Sequence, residues 1–199
     1  KEIKKSGGKY LFLTNNSSKG VERYVSKLKK LGIDAVNDDF LTSTDATILY
    51  LQTKFQGRKF YAMGTKSFVE QLKMAGINVV TDIEEGIFGL VISNDQELNF
   101  KKLEDACKVL LNDIEYIATN PDWVCPTAYG SVPDCGSFAE MIEHATGKKP
   151  QFIGKPKPEM LLLAMEKYGR DAVCGVTLCL SADHGADEKN CADAKDVCD

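Results

Sequence analysis

Hydrophobic and polar positions along this chain fall into blocks, with short apolar runs separated by amphipathic stretches. Lys9-Tyr10-Leu11-Phe12-Leu13-Thr14 is one such run, and it stops at polar Asn15-Asn16-Ser17-Ser18. A strand buried on both faces reads that way. From Val21 to Leu31 the apolar residues Val21, Tyr24, Val25 and Leu28 fall at i, i+3, i+4 and i+7, which predicts a helix with one buried face. Ser17 or Ser18 is its expected N-cap and Gly32 its expected stop. The alternation continues to the end of the regular pattern. Helices are predicted over 46–56, 67–75, 100–111, 137–146 and 159–168, and strands over 59–63, 78–80, 89–93, 115–119 and 151–153. Gly76, Gly147 and Gly169 mark helix ends, and Pro158 sits beside a first turn. Strands alternating with helices of this length predict an α/β fold, with parallel sheets covered by helices on both faces. Ligands in such folds collect at the carboxyl ends of strands. That rule points to Thr14-Asn15-Asn16, to Asn120-Pro121-Asp122 and to Gly154-Lys155-Pro156.

Composition narrows the classes of function. The 199 residues suit one large domain or two small ones, and the net charge of −4 argues against a nucleic-acid partner. No apolar run approaches the ~20 residues of a membrane helix, and Lys1-Glu2-Ile3-Lys4-Lys5 lacks the apolar centre of a signal peptide. The expectation is a cytoplasmic protein with neither a membrane nor a nucleic acid as partner. Seven cysteines leave two readings open. They are small core hydrophobes in a reducing compartment, or Cys174, Cys179, Cys191 and Cys198 with His184 form a zinc site, although their spacings match no standard template. The tail from Ala182 is polar and acidic, and its periodicity is too weak to assign an element.

Three segments could carry chemistry. Thr14 stands where a strand runs out, and a hydroxyl with free N–H groups at a helix start suits a phosphate. Taken alone, the same residues read first as caps of the helix. Lys155 lies between Gly154 and Pro156, which aim its ammonium group, and a fixed cation there suits phosphate or developing phosphoryl charge. Residues 120–136 are rich in turn formers, namely Pro121, Pro126, Gly130, Pro133, Asp134 and Gly136, and read as a long irregular loop that is either functional or a structural crossover. Gly64-Thr65-Lys66-Ser67 looks like the end of a phosphate loop but lacks the earlier glycine that motif needs, so it is set aside.

Taken in order, four segments resemble the haloacid-dehalogenase-like phosphatases, and within them the NagD / p-nitrophenylphosphatase branch. They are Phe12-Leu13-Thr14-Asn15-Asn16-Ser17-Ser18-Lys19, Leu49-Tyr50-Leu51, Ala118-Thr119-Asn120-Pro121-Asp122 and Ile153-Gly154-Lys155-Pro156-Lys157-Pro158-Glu159-Met160. The resemblance implies a Rossmann-like core with a large inserted α/β cap. On that reading 1–41 and 153–199 are the two parts of the core and 43–150 the cap. Thr42-Ser43 and Pro150-Gln151 would be the hinges. It further implies Thr14 and Lys155 as catalytic residues that bind phosphate together with Asn15 and Asn16. Cap residues Asn120, Asp122, Gly130 and Asp134 would select the leaving group. The implied substrate is a small phosphorylated metabolite (a sugar phosphate, a nucleoside monophosphate or an aryl phosphate), and a homodimer through the cap is expected.

The family's reaction uses an attacking aspartate, a second aspartate two positions later and Mg²⁺. The chain has no Asp before Asp34, so the Asp-x-Asp motif expected ahead of Thr14 has no match. Ala172-Val173-Cys174 runs directly into Gly175-Val176-Thr177-Leu178-Cys179-Leu180-Ser181, where a Gly-Asp metal motif should intervene. Metal ligands are therefore assigned to none of these residues, and the chain as it stands is expected not to turn over substrate. Retention of Thr14 and Lys155 favours omission of these motifs from the chain, with a break expected within 171–176 and a free sheet position beside 9–14. The alternative is a non-catalytic relative that binds a phosphometabolite or a protein.

Overall fold

The computed structural model describes Gly7 and residues 10–168. The tail cysteines, His184, the 171–176 link and the 175–181 strand lie outside the described residues. The first strand β1 (Phe12–Thr14) is followed by α1 (Val21–Lys30), in the expected order. β1 pairs in parallel with β2 (Phe40–Thr42), in the register Phe12↔Phe40, Leu13↔Leu41 and Thr14↔Thr42. Phe40 stacks on Phe12 with ring centroids 5.0 Å apart and lies 5.8 Å from Tyr24 of α1. The β2 strand was not expected. Three buried residues carry too little pattern to separate a strand from a loop.

The second sheet has five parallel strands in the order β4-β3-β5-β6-β9. They are β3 (Phe60–Met63), β4 (Val79–Val80), β5 (Gly89–Ile92), β6 (Glu115–Ala118) and β9 (Gln151–Phe152). Alternate residues feed two cores, as a pleated sheet requires. Tyr61, Met63, Leu90, Ile92, Tyr116 and Ala118 pack with α4 (Phe100–Val109) and α5 (Cys135–Thr146). Phe60, Ala62, Val91 and Ile117 pack with α2 (Ser43–Lys54), α3 (Lys66–Met74) and α6 (Glu159–Tyr168). Helices thus cover both faces. Among the described residues no helix is long and apolar enough to cross a membrane.

Several boundaries move for identifiable reasons. α2 starts at Ser43 rather than 46, because Thr42 and Asp45 form a capping box: Thr42 Oγ1 accepts Asp45 N–H at 3.2 Å and Asp45 Oδ2 accepts Thr42 N–H at 2.8 Å. α5 starts at Cys135 behind Asp134, whose carboxylate accepts the Cys135 N–H at 2.6 Å. It ends at Gly147, which takes φ 70° and closes the last turn onto Glu143 O at 2.7 Å. α1 corrects an expectation. Its N-cap is Gly20 with no side-chain cap, because Ser17 and Ser18 are buried and bonded elsewhere. The expected loop over 120–136 also contains a hairpin of β7 (Val124–Thr127) and β8 (Gly130–Pro133), joined through Ala128 and Tyr129. Its two prolines hid it, since proline reads against a strand except at an edge, and a two-stranded ribbon is all edge.

Candidate active site

The loop Asn15–Ser18 leaves β1 and lies on the carboxyl ends of β3, β5 and β6 and the segment after β9. Thr14 Oγ1 accepts the Asn16 N–H at 3.2 Å, a short turn that holds the hydroxyl at the strand end. The Asn15 side chain is used completely. Its Nδ2 donates to both Asp122 carboxylate oxygens at 3.1 Å and to Lys155 O at 3.0 Å, while its Oδ1 accepts Lys155 N–H at 2.8 Å. Its own carbonyl accepts from Ser43 Oγ and Asn120 Nδ2, each at 2.6 Å. Asn16 Oδ1 accepts from Ser18 N–H and Ser18 Oγ, and its Nδ2 lies 3.9 Å from Cys125 Sγ.

Lys155 enters from the far end of the sequence. Its ammonium group donates to Leu13 O at 3.4 Å, one residue from Thr14. Gly154 makes the approach possible, because a Cβ there would come within 2.7 Å of both Asn15 Oδ1 and Thr119 O. Ile153 N–H and Gly154 N–H continue β6's edge by donating to Ala118 O and Thr119 O. The peptide between Lys155 and Pro156 is cis.

The 120–136 segment contributes two carboxylates. Asp122 takes the Asn120 Oδ1 contact at its backbone and the Asn15 amide at its carboxylate. Asp134 is buried at the start of α5, and burial pushes its carboxyl up to about 6. The Cys135 N–H opposes that rise and the charge of Asp122 adds to it. Gly136 lets α5 start against Pro121, where a Cβ would meet Pro121 O at 2.2 Å. Gly130 stands apart, at the exposed turn of the hairpin, where its carbonyl accepts from Thr127 Oγ1 at 2.8 Å.

So Thr14, Asn15, Asn16, Asn120, Asp122 and Lys155 come together through direct bonds, Asp134 stands within electrostatic reach of Asp122, and Gly130 lies at the hairpin turn. Sequence reasoning missed a second layer. Ser17 Oγ bonds Thr119 Oγ1 at 2.9 Å and accepts the Asn94 N–H at 3.0 Å, and Thr65 Oγ1 donates to Ser18 O at 3.1 Å. Tyr24 is half-buried, with its hydroxyl enclosed near Thr14; burial pushes that hydroxyl up to about 12, with the Thr14 hydroxyl pulling the other way. Applying the strand-end rule to 63–65 and 92–94 as well would have found Thr65 and Asn94. Among the described residues, no group of three or more His, Cys, Asp or Glu is placed to hold a metal ion.

A family model described as haloacid dehalogenase-like hydrolase matches residues 1–78. The chain is 34% identical over 162 residues to an acid sugar phosphatase of Staphylococcus aureus (strain USA300), a match covering 81% of this chain and 62% of the relative. The chain therefore spans under two thirds of that relative's length. It is similar to the solved structure of a double-mutant thermostable NPPase from Geobacillus stearothermophilus, at 33% identity and TM-score 0.78, covering 84% of this chain and 67% of that one. It is also similar to a glycerol phosphate phosphatase from Mycobacterium tuberculosis solved in complex with magnesium, at 26% identity and TM-score 0.75, covering 80% and 49%.

Proposed function

The chain belongs to the haloacid dehalogenase-like hydrolases, and from that premise we propose that it carries the phosphate-binding and leaving-group side of a phosphatase for small phosphomonoesters. One observation carries the reading. The ammonium of Lys155 reaches the Leu13 carbonyl at 3.4 Å, so a cation and the Thr14 hydroxyl, 141 residues apart in sequence, meet at one strand end. A fixed cation beside a hydroxyl donor stabilises phosphoryl oxygens without reorganising as charge develops. The acid sugar phosphatase and the glycerol phosphate phosphatase support a small phosphorylated metabolite as substrate.

Within this proposal Thr14, Asn16 and Lys155 face the phosphate, and Asn15 sets the place of Lys155 through the bonds described above. Asn120, Asp122, Gly130 and Asp134 belong to the leaving-group side. Residues 43–150, with β3, β4, β5 and β6 of the larger sheet and the hairpin, form the cap, with 1–41 and 153–199 as core. Magnesium, which the Mycobacterium relative holds, belongs to the complete reaction. The described residues supply no fitting ligand group, and no step is derived through the metal. A cytoplasmic location and a homodimer through the cap complete the proposal; exposed Trp123 and Tyr129 on and beside the hairpin support the latter.

The test is phosphate release from a panel of sugar, nucleoside and aryl phosphates with Mg²⁺. It is run on this chain and on a version preceded by an Asp-x-Asp strand. Turnover by the extended version, lost on Lys155→Ala, is the expected result. No turnover of any panel member by either version overturns the reading.

A further inference from the structure

Tyr24 stands half-buried on α1, with its ring against Phe40 at a centroid distance of 5.8 Å. Phe40 is the register partner of Phe12, and those two rings lie 5.0 Å apart. Side chains two positions apart on a strand share a face, so Phe12 and Thr14 project to the same side of β1, about 7 Å apart along it. A tyrosine side chain is comparable in length to that step. A ring seated on the Phe12–Phe40 pair therefore carries its hydroxyl to the Thr14 end of the face.

There the hydroxyl is enclosed, and no group among the described residues completes a hydrogen bond to it. Thr14 is the hydrogen-bonding group that bears on it, with Cys125 of β7 and Asp134 at the start of α5 acting through their charge. The Tyr24–Thr14 approach thus falls short of a closed bond, and the pair is poised to make one. A buried polar atom left unpaired in a native fold calls for a reason, because it gives up water and gains nothing in exchange. Burial pushes the phenol up to about 12, so it keeps its proton and meets Thr14 as a donor. Thr14 has room for that donor. A hydroxyl offers one proton and two lone pairs. Thr14 Oγ1 accepts the Asn16 N–H at 3.2 Å, and among the described residues nothing accepts its proton.

We propose that Tyr24 is a positioning residue of the phosphate site: its hydroxyl donates to the second lone pair of Thr14 Oγ1 and so turns the Thr14 proton toward a bound phosphate. Two donors on one oxygen also polarise its O–H, which strengthens the bond that Thr14 gives to a phosphoryl oxygen. The Tyr24–Thr14 bond closes as the anion draws the Thr14 proton outward. This role rests on the reading of Thr14 and Lys155 as phosphate-binding residues and adds a third element, α1, to that site.

Inorganic phosphate titrated calorimetrically into the chain tests the proposal, with urea unfolding measured on each variant. Tyr24→Phe keeps the ring on Phe40 and removes only the oxygen. The expected result is an affinity about three- to tenfold weaker with an unfolding midpoint unchanged or raised, since the lost hydroxyl was unpaired without ligand. The loss should recur in Thr14→Ser, which keeps a hydroxyl, and vanish in Thr14→Val, where Lys155 still holds the anion. An affinity that Tyr24→Phe leaves unchanged overturns the proposal. So does an equal loss in the Thr14→Val background, or a loss accompanied by a lower unfolding midpoint, which marks a merely structural role. The phosphate-site reading fails on a different result: no phosphate binding by the unaltered chain, or binding indifferent to Lys155→Ala, overturns that reading and the role of Tyr24 with it.

Discussion

Asn15 is bonded by both ends of its amide to the peptide of Lys155: Oδ1 accepts the Lys155 N–H at 2.8 Å and Nδ2 donates to the Lys155 carbonyl at 3.0 Å. The same Nδ2 reaches the Asp122 carboxylate. One side chain therefore ties the loop after β1 to the lysine segment after β9 and to the loop after β6. Asn15→Ala leaves the Lys155 peptide groups and Asp122 without that partner. We expect a loss of about 1–3 kcal/mol in urea unfolding, together with weaker phosphate binding. Unchanged stability and affinity would show that water replaces the amide freely.

Gly154→Ala tests the close approach from the other side. The new Cβ meets a backbone oxygen, Thr119 O, at 2.7 Å, and a backbone cannot swing aside as a side-chain end can. The expected cost is about 1–3 kcal/mol in the same unfolding measurement. A neutral substitution would mean that the strand β9 shifts without penalty.

Asp134 makes stability depend on pH. Its carboxyl sits at about 6 in the fold, against about 3.9 for an unperturbed aspartate. The folded state therefore holds the proton more tightly than the unfolded chain. The stabilising contribution is complete below pH ~4 and is lost as pH rises through ~6, by about 2–3 kcal/mol. Asp134→Asn keeps an N-cap at α5 and removes the titration, so the stability difference between the two proteins should change across this window. Parallel stability curves from pH 4 to 7 would sink the prediction.

Thiol accessibility should separate the cysteines. Cys135 is fully buried, and burial pushes its thiol up to about 12, whereas Cys107 and Cys125 are partly exposed. Iodoacetamide at pH 8, read by peptide mapping of the native protein, should modify Cys107 and Cys125 well before Cys135. Equal labelling of all three would show that the α5 end opens readily.

Leu90 sits at the centre of the five-stranded sheet with no exposed surface. Leu90→Ala should cost about 2–5 kcal/mol in urea unfolding, and a loss of unfolding free energy smaller than about 1 kcal/mol would mean that the core collapses around the cavity.

The sequence by itself determined what depends on local pattern. Short apolar runs located the strands β1, β3, β5, β6 and β9 and period-3.6 repeats the helices between them, because an element buried on one or both faces must make those faces apolar with its own residues. It also marked Thr14, Asn120 and Lys155 as residues at strand ends, and their motifs pointed to the family. Tertiary structure alone decided the partners of polar side chains. Ser17 reads as a helix cap but bonds Thr119 and Asn94, 102 and 77 residues away. Glu97, on the loop after β5, accepts the Lys66 N–H at the start of α3. A hydrogen bond needs only a donor and an acceptor at the right separation, and chain pattern carries no record of which distant pair will meet. Short β2 and the proline-bearing hairpin were likewise settled by pairing, since a strand of three or four residues is defined by its neighbour more than by its own sequence.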